Sequence, residues 1–409
     1  MGVQAQCHLF AMLSTLGLAA ALCCRVSADT AAAGGGDGLP ELLQITWHCG
    51  PDLPQGFQDS DGGVLHGALV TVGGFCSGQT GVAGKEERYP RGFLSRVWAV
   101  DLGEADARWR RLPDFPGAPR QELMGCVVGD ALYCWGGFSY SAPFCYSDGY
   151  RLTKTDGQWV WSGLPSLPWP VSSAGVCAIG SRIYLTGGAD YDLERFYTQA
   201  DREGAVARMG ARLLTIDTAD LQSGWQELPP CPGTPRWVHA TAAVDGKIYV
   251  IGGATGMDNS AATYCTVVDN WCYDTAKTAW DRLPDLPVSS GNFPAGAIAY
   301  ADRYILLVGG YQYGQVMGVE GALRPAYGAG SKHYPDKPYY SDIFVFDTQT
   351  RSFGRASSLP LNNNLPMTVV SGDRIHLVGG ETSGCRVEGE SFGHHPDLYL
   401  VGSIQRAES

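Results

Sequence analysis

Short apolar runs, each closed by a pair of glycines, recur along the whole chain. Ala68–Val72 precedes Gly73-Gly74, Ala131–Trp135 precedes Gly136-Gly137, and Ile183–Thr186 precedes Gly187-Gly188. Ile248–Ile251, Ile305–Val308 and Ile375–Val378 lead in the same way to Gly252-Gly253, Gly309-Gly310 and Gly379-Gly380. Successive pairs stand between 51 and 70 residues apart. Between them falls a second signal, an aromatic residue followed by Leu-Pro: Trp109 with Leu112-Pro113, Trp161 with Leu164-Pro165, Trp225 with Leu228-Pro229, and Trp280 with Leu283-Pro284. Phe353 with Leu359-Pro360 is a looser copy. Alternating segments such as Val97–Asp101 and Ile343–Asp347 come just before these aromatics. Runs of this length, bounded by Gly and Pro, are strands, and a repeat of this period is the mark of a repeat architecture.

This pattern resembles the kelch motif over nearly all of the chain from residue 41 onward. The resemblance implies an all-β, six-bladed kelch β-propeller, each blade a twisted four-stranded antiparallel sheet that buries its faces only by stacking on its neighbours. The glycine pair is expected where neighbouring blades crowd and a side chain would clash, and the Trp between blades. The sixth repeat ends after Asp397–Val401 with no aromatic and no Leu-Pro. The missing piece lies at the other end, where Ile45-Thr46-Trp47 and Leu53-Pro54 precede the first glycine pair. The N-terminal strand is therefore expected to close the last blade, since a circular array needs such an overlap to avoid a free edge.

Residues 1–28 do not belong to this pattern. Leu9 to Leu22 is one apolar run, and Val26-Ser27-Ala28 has the small-x-small form of a signal-peptidase site. The expectation is a signal peptide over 1–28, a flexible segment over 29–40 and the propeller over 41–409, exported and without a membrane span. The three cysteines of the leader leave ten, an even number, which pairs in an oxidising compartment. Cys134 with Cys145 and Cys265 with Cys272 are the local pairings to test first, while Cys126 and Cys177 lie in apolar strands and also read as buried thiols. No CxxC pair or Cys/His cluster has metal spacing, so no metal site or cofactor is expected. A net charge of −12 repels phosphate backbones and argues against a nucleic-acid partner.

In kelch-like propellers the ligand face is built from loops after the glycine pair and from residues leading into each inner strand. Sixteen residues before each first glycine stand Phe57, Arg120, Val171, Arg236, Phe293 and Asn363, with His239 close by. After the pairs come Phe75, Phe138, Tyr311, Glu381 and Arg386, among others. The candidate ligand-binding residues are thus Arg120, Arg236, His239, Tyr311, Asn363, Glu381 and Arg386, a set able to stack a sugar ring and fix its hydroxyls or a carboxylate. Two readings stand side by side: Arg120 and Arg236 bind an anion, or they bond backbone carbonyls between blades. Asp59-Ser60-Asp61-Gly62 hints at a calcium loop but has no downstream Glu to complete it, and reads as a turn.

Several features together resemble the exported N-acetylneuraminate epimerases: the leader, the blade count, Phe115–Arg120, an insertion over 190–209 that reads as a short helix, the Tyr-rich loop over 317–340, and Gly379–Gly384. That resemblance implies recognition of an acidic sugar. Mutarotation needs a base for the anomeric hydroxyl and an acid for the ring oxygen. The family's catalytic Glu and Arg fall at Ala254 and Ser260 here, where neither residue does that chemistry. The catalytic residues are unknown at this point, and the competing expectation is a non-enzymatic protein-interaction scaffold.

Overall fold

A computed structural model describes residues 38–76, 92–104, 106–190, 208–256, 264–287, 298–310, 339–382 and 395–407, with short pieces at 291, 315–317, 323–324, 386–387 and 390–391. It is an all-β, propeller-like fold. Helix among the described residues is confined to one 3-10 turn, Leu221–Ser223.

Four separate four-stranded antiparallel sheets follow one another along the chain. The first holds β2 (Asp61–Leu65), β3 (Ala68–Val72), β4 (Val97–Asp101) and β5 (Arg110–Arg111); the second holds β6 (Met124–Val128), β7 (Ala131–Trp135), β8 (Gly149–Thr155) and β9 (Gln158–Leu164). The third is β10 (Gly175–Ile179), β11 (Arg182–Thr186), β12 (Leu213–Asp217) and β13 (Gln226–Leu228). The fourth is β14 (Ala240–Val244), β15 (Lys247–Ile251), β16 (Asn270–Asp274) and β17 (Ala279–Leu283).

Eight further strands form one sheet, and the strands left over make a small mixed sheet of Ala254–Gly256, Tyr264–Val267, Gln315–Met317 and Leu323–Arg324 and three two-stranded ribbons. One half of the eight-stranded sheet is β18 (Ala299–Tyr300), β19 (Tyr304–Val308), β20 (Ile343–Asp347) and β21 (Ser352–Ala356); the other is β22 (Met367–Ser371), β23 (Arg374–Val378), β24 (Tyr399–Arg406) and β1 (Glu41–Cys49). The strands that open each unit are neighbours: β2 packs beside β6 and β22, β10 beside β6 and β14, and β14 beside β18.

The N-terminal strand does supply the last strand of the final half-sheet. β1 runs antiparallel to β24, with Ile45 opposite Ile404 and Trp47 opposite Gly402. The contact lies further along than the repeat pattern places it, because β24 continues to Arg406 instead of stopping at Val401. β1 also pairs in parallel with β21 through Leu43 and Ala356, which fuses the two halves. The Trp47 indole N–H donates to the Ser358 carbonyl at 3.1 Å. Equivalent indoles link other sheets: Trp109 to the Pro51 carbonyl at 2.9 Å, Trp161 to Pro113 at 3.0 Å, and Trp280 to Pro229 at 2.8 Å. Four outer corners are thus tied to the sheet before them, whereas the Trp225 indole N–H of the third sheet is buried without a partner.

The sequence expectations meet local corrections. Asp61 and Gly62 begin β2 and are not a turn. The segment read as a helix over 190–209 starts and ends as a β-ribbon, Ala189–Asp190 against Arg208–Met209, and residues 191–207 lie outside the described set, as do residues 1–37. No disulfide joins the described cysteines. Cys134 is instead buried in the core that β3, β4, β7 and β8 share, and burial raises the thiols of Cys126 and Cys134 well above their usual range and that of Cys177 to about 12.

Leu43 is fully buried where the halves of the large sheet meet. Leu43→Ala is expected to destabilise the protein by about 2–5 kcal/mol through lost burial and an unfilled cavity. Urea denaturation measures this, and an unchanged midpoint would contradict the closure described here.

Candidate functional site

The residues sixteen before the glycine pairs sit at the joints between sheets. In five of the six pairs the second glycine donates its N–H to the carbonyl of such a residue in the next unit: Gly74 to Arg120 and Gly188 to Arg236 at 2.9 Å, Gly137 to Val171 at 3.0 Å, Gly310 to Asn363 at 2.9 Å, and Gly380 to Phe57 at 2.8 Å; Phe293, the sixth such residue, lies outside the described residues. The approach excludes side chains: a Cβ on Gly136 would lie 2.2 Å from the Val171 carbonyl oxygen, at a φ of 63° that glycine tolerates best.

Side chains complete the joint. Arg120 is 1% exposed; its Nε donates to the Ala118 carbonyl at 2.9 Å, and its Nη1 donates to the Gly136 carbonyl at 3.0 Å and to Asp148 at 2.6 Å. Its guanidinium also stacks 3.6 Å from the Tyr146 ring centroid. Arg236 repeats the arrangement, with Nε to the Thr234 carbonyl at 2.9 Å, Nη1 to the Gly252 carbonyl at 3.2 Å, and Nη2 to Asp269 at 2.5 Å. Asn363 does the same with an amide, Nδ2 donating to the Gly379 carbonyl at 3.0 Å. These contacts occupy most donors of each guanidinium. The expectation that Arg120 and Arg236 bind an anion is therefore corrected: they are ties between sheets, and Asn363 joins them in that role.

His239 is likewise internal. Its Nε2 lies 2.7 Å from the Thr186 hydroxyl, and burial with the nearby Arg236 charge pushes the imidazole down to about 3, so it is neutral. The space beside it, about 10 Å³, holds no more than a water. Tyr311 lies outside the described residues. Arg386 pairs through its backbone with Ser391.

Two residues beyond each joint residue, the chain turns through the left-handed region: Asp59, Glu122, Ser173, Val238 and Leu365 have φ between 45° and 54°. Their backbones form an axial belt. Asp59 N–H donates to Leu365 at 3.3 Å, Glu122 to Asp59 at 3.1 Å, Ser173 to Glu122 at 3.5 Å, and Val238 to Ser173 at 2.9 Å. The belt brings together a carboxyl cluster that the sequence reading missed, apart from Glu381.

Asp59, 7% exposed, is pushed well up by burial and by repulsion from Glu122 and Glu381. Burial also raises Glu122, and it raises Glu381 to about 7 against hydrogen bonds from Tyr339 and Asn364. Asp59 Oδ2 accepts from Gln58 Nε2 at 2.8 Å, but its Oδ1 and the Oε2 of Glu122 are buried and have no partner. Asp61, two residues on, is also raised, to about 7, by burial, but both its oxygens have partners: it accepts the backbone N–H of Gly62 at 2.6 Å and of Gly125 at 2.8 Å, and serves as a tie between β2 and β6.

The same end of the axis has two further surfaces. Phe75, Phe93, Phe138 and Tyr140 cluster with ring centroids 4.8–6.3 Å apart, and Tyr140 is 48% exposed. Phe75 pairs by backbone with Gln58 and Phe138 with Gln121, the neighbours of Asp59 and Glu122. On the side of the third and fourth sheets, Phe138, Ala189, Trp237, Val238 and Ala254 pack as an apolar cluster. Carboxyls, aromatic rings and an apolar wall thus share one end of the molecule. Among the described residues, no group of three or more His, Cys, Asp or Glu is placed to hold a metal ion.

The fold is propeller-like, and residues 239–287 match the Kelch motif. The chain is similar to the N-acetylneuraminate epimerase of Pasteurella multocida, with 23% identity over 362 residues, covering 82% of this chain and 88% of the relative. It is similar to the Haemophilus influenzae N-acetylneuraminate epimerase to the same extent, at 24% identity over 361 residues. The solved structure of YjhT superposes with a TM-score of 0.61 at 15% identity, covering 87% of this chain and 99% of that one, which shows a shared fold.

Two measurements follow from the buried charges. Arg120→Ala strands Asp148 and two carbonyls, and is expected to cost about 3 kcal/mol of stability; an unchanged melt would contradict the tie. The raised carboxyls bind protons more tightly in the folded state than in the unfolded one. Stability therefore falls as pH rises from the ordinary carboxylate range through about 7. The melting temperature should be higher at pH 5 than at pH 8, with a smaller difference in Asp61→Asn; equal slopes in both proteins would contradict the assignment.

Proposed function

We propose that the chain is a secreted six-bladed propeller that binds a neutral sugar at the carboxyl end of its axis and opens and recloses the ring, in the manner of a mutarotase. The eight-stranded sheet counts as two blades joined at their outer strands, so that residues 41–409 make six. The leader over 1–28 supports export. The observation that carries the functional reading is the group of three carboxyls with two buried, unpartnered oxygens at the axial end. Mutual repulsion and burial keep part of the group protonated at neutral pH, so one carboxyl is an acid for the ring oxygen and another a base for the anomeric hydroxyl. The neighbouring Phe75, Phe138 and Tyr140 offer ring faces for the apolar side of a sugar.

This places the acid–base chemistry at the junction of the last, first and second blades. The position of the epimerases' catalytic Glu, Ala254, belongs to the apolar wall. An acidic sugar fits less well, because the guanidinium groups that argued for it are committed elsewhere and a sugar carboxylate would face carboxyl groups. The scaffold alternative calls for a broad exposed apolar patch, whereas Tyr140 and Val160 are the exposed large hydrophobics among the described residues.

The test is one-dimensional NMR of anomer interconversion with a panel of neutral aldoses and N-acetylneuraminate. Wild type is expected to accelerate exchange of a neutral sugar, and Asp59→Asn or Glu381→Gln to lose about 100-fold or more with the fold intact. Binding without acceleration would leave a sugar receptor. Neither binding nor acceleration by any sugar would overturn the reading in favour of a scaffold.

A further inference from the structure

The outer edges of the sheets are not equally protected. β5 and β13 run for only two and three residues. β17 runs for five but carries Asp281 and Arg282, and the outer strands β1 and β21 cover each other. β9 is the exception. It is seven residues long, Gln-Trp-Val-Trp-Ser-Gly-Leu, with no charge and no proline, and none of its residues is buried. An outer strand of this length without such protection offers a row of backbone groups to another chain.

The hairpin decides which groups are offered. β8 and β9 are joined by Asp156-Gly157, both with positive φ (50° and 78°), and Thr155 stands opposite Gln158. In such a two-residue turn the flanking pair exchanges both its hydrogen bonds, and alternation carries the pattern along the strand. Gln158, Val160, Ser162 and Leu164 therefore bond inward to β8. Trp159, Trp161 and Gly163 turn their N–H and C=O outward, and among the described residues no backbone group bonds to them there. Apart from its chain neighbours, Gly163 has no atom within 4 Å of where a Cβ would stand, and Val160 is 48% exposed.

The side chains of β8 restrict the partner. Lys154 stands opposite Trp159, and its Nζ lies 5.6 Å from that ring's centroid. Arg151 stands opposite Ser162, on the other face of the sheet, where a small residue leaves the strand between it and the edge uncovered. In a molecule of net charge −12, this hairpin carries two cations against the single Asp156 at its tip. Neither cation forms an ion pair among the described residues.

We propose that β9 is a docking edge for an extended, acidic polypeptide segment, which adds to the second sheet as a fifth strand. The backbone of the segment pairs with Trp159, Trp161 and Gly163, and carboxylates three residues apart face Lys154 on one side of the sheet and Arg151 on the other. The spacing is odd because successive side chains of a strand alternate between faces. A second copy of β9 would bring no carboxylate to either cation. The edge is at the outer end of its sheet, and the axial carboxyls take no part in it.

Amide hydrogen exchange of the full-length protein tests this with a synthetic threonine–valine peptide carrying glutamates three positions apart, and with the same peptide carrying lysines there. The glutamate peptide is expected to slow exchange at Trp159, Trp161 and Gly163 at millimolar concentration, and the lysine peptide to leave it unchanged. Gly163→Pro removes one outward N–H and no bond to β8, so it should weaken the glutamate peptide about 10-fold with the melting temperature unchanged. Lys154→Ala combined with Arg151→Ala should weaken it about 5-fold, the effect of two exposed ion pairs. No slowing by either peptide, or equal affinity in Gly163→Pro, would overturn the docking edge. Equal slowing by both peptides would overturn the acidic partner, as would slowing that grows with protein concentration in the absence of peptide, which would put a second copy on the edge.

Discussion

The structure depends on one hydrogen bond repeated around the axis: the N–H of the second glycine in a pair, donated to a carbonyl in the next sheet at 2.8–3.0 Å. Sheets that close together leave no room for a Cβ at this joint, and the glycines supply both the space and the left-handed φ. Everything nearby follows from keeping that carbonyl in place. Arg120, Arg236 and Asn363 anchor it by bonding their own unit's first glycine, sixteen residues on. Where Val171 and Phe57 occupy the same position, apolar burial takes over.

The joint also decides what stands at the axis. Two residues later, the chain must turn with positive φ and pass its N–H to the preceding unit, and the side chain at that point is delivered to the axial end. Asp59 and Glu122 fill the position in two units, Ser173 and Val238 in the next two. The residues just after the glycine pairs repeat the division: Glu381 on the acidic side, Ala189 and Ala254 on the apolar one. The axial end is thereby polarised, and buried carboxyls there are held above their ordinary range by desolvation and by one another.

Much of the fold was legible because it rests on short-range residue types. Glycine pairs, Leu-Pro corners and motif tryptophans report local geometry, and the unfinished sixth repeat pointed to the N-terminal strand. The register of β1 against β24 was not legible, since no turn links the two strands and only packing of Leu43 and Ile45 fixes it. The site was read less well. Counting sixteen residues back from each glycine found the right positions, but an Arg with nearby carbonyls and an Arg facing a ligand look alike in one dimension. The Asp148 and Asp269 partners lie at different separations, 28 and 33 residues away, so no spacing announced them. Asp59 and Glu122 are equivalent positions that the same count would have paired, two residues further on. The signal passed unnoticed because Asp59 also reads as part of an acidic turn.

The axial belt, in segments that precede the strands and look like loops, is bonded across sheets as the strands are. Amide hydrogen exchange tests it directly at Glu122 and Val238, whose N–H groups donate across sheets to Asp59 and Ser173. These two amides are expected to exchange as slowly as those of β7 and β15, opening only with global unfolding. Exchange at the rate of an exposed loop would contradict it.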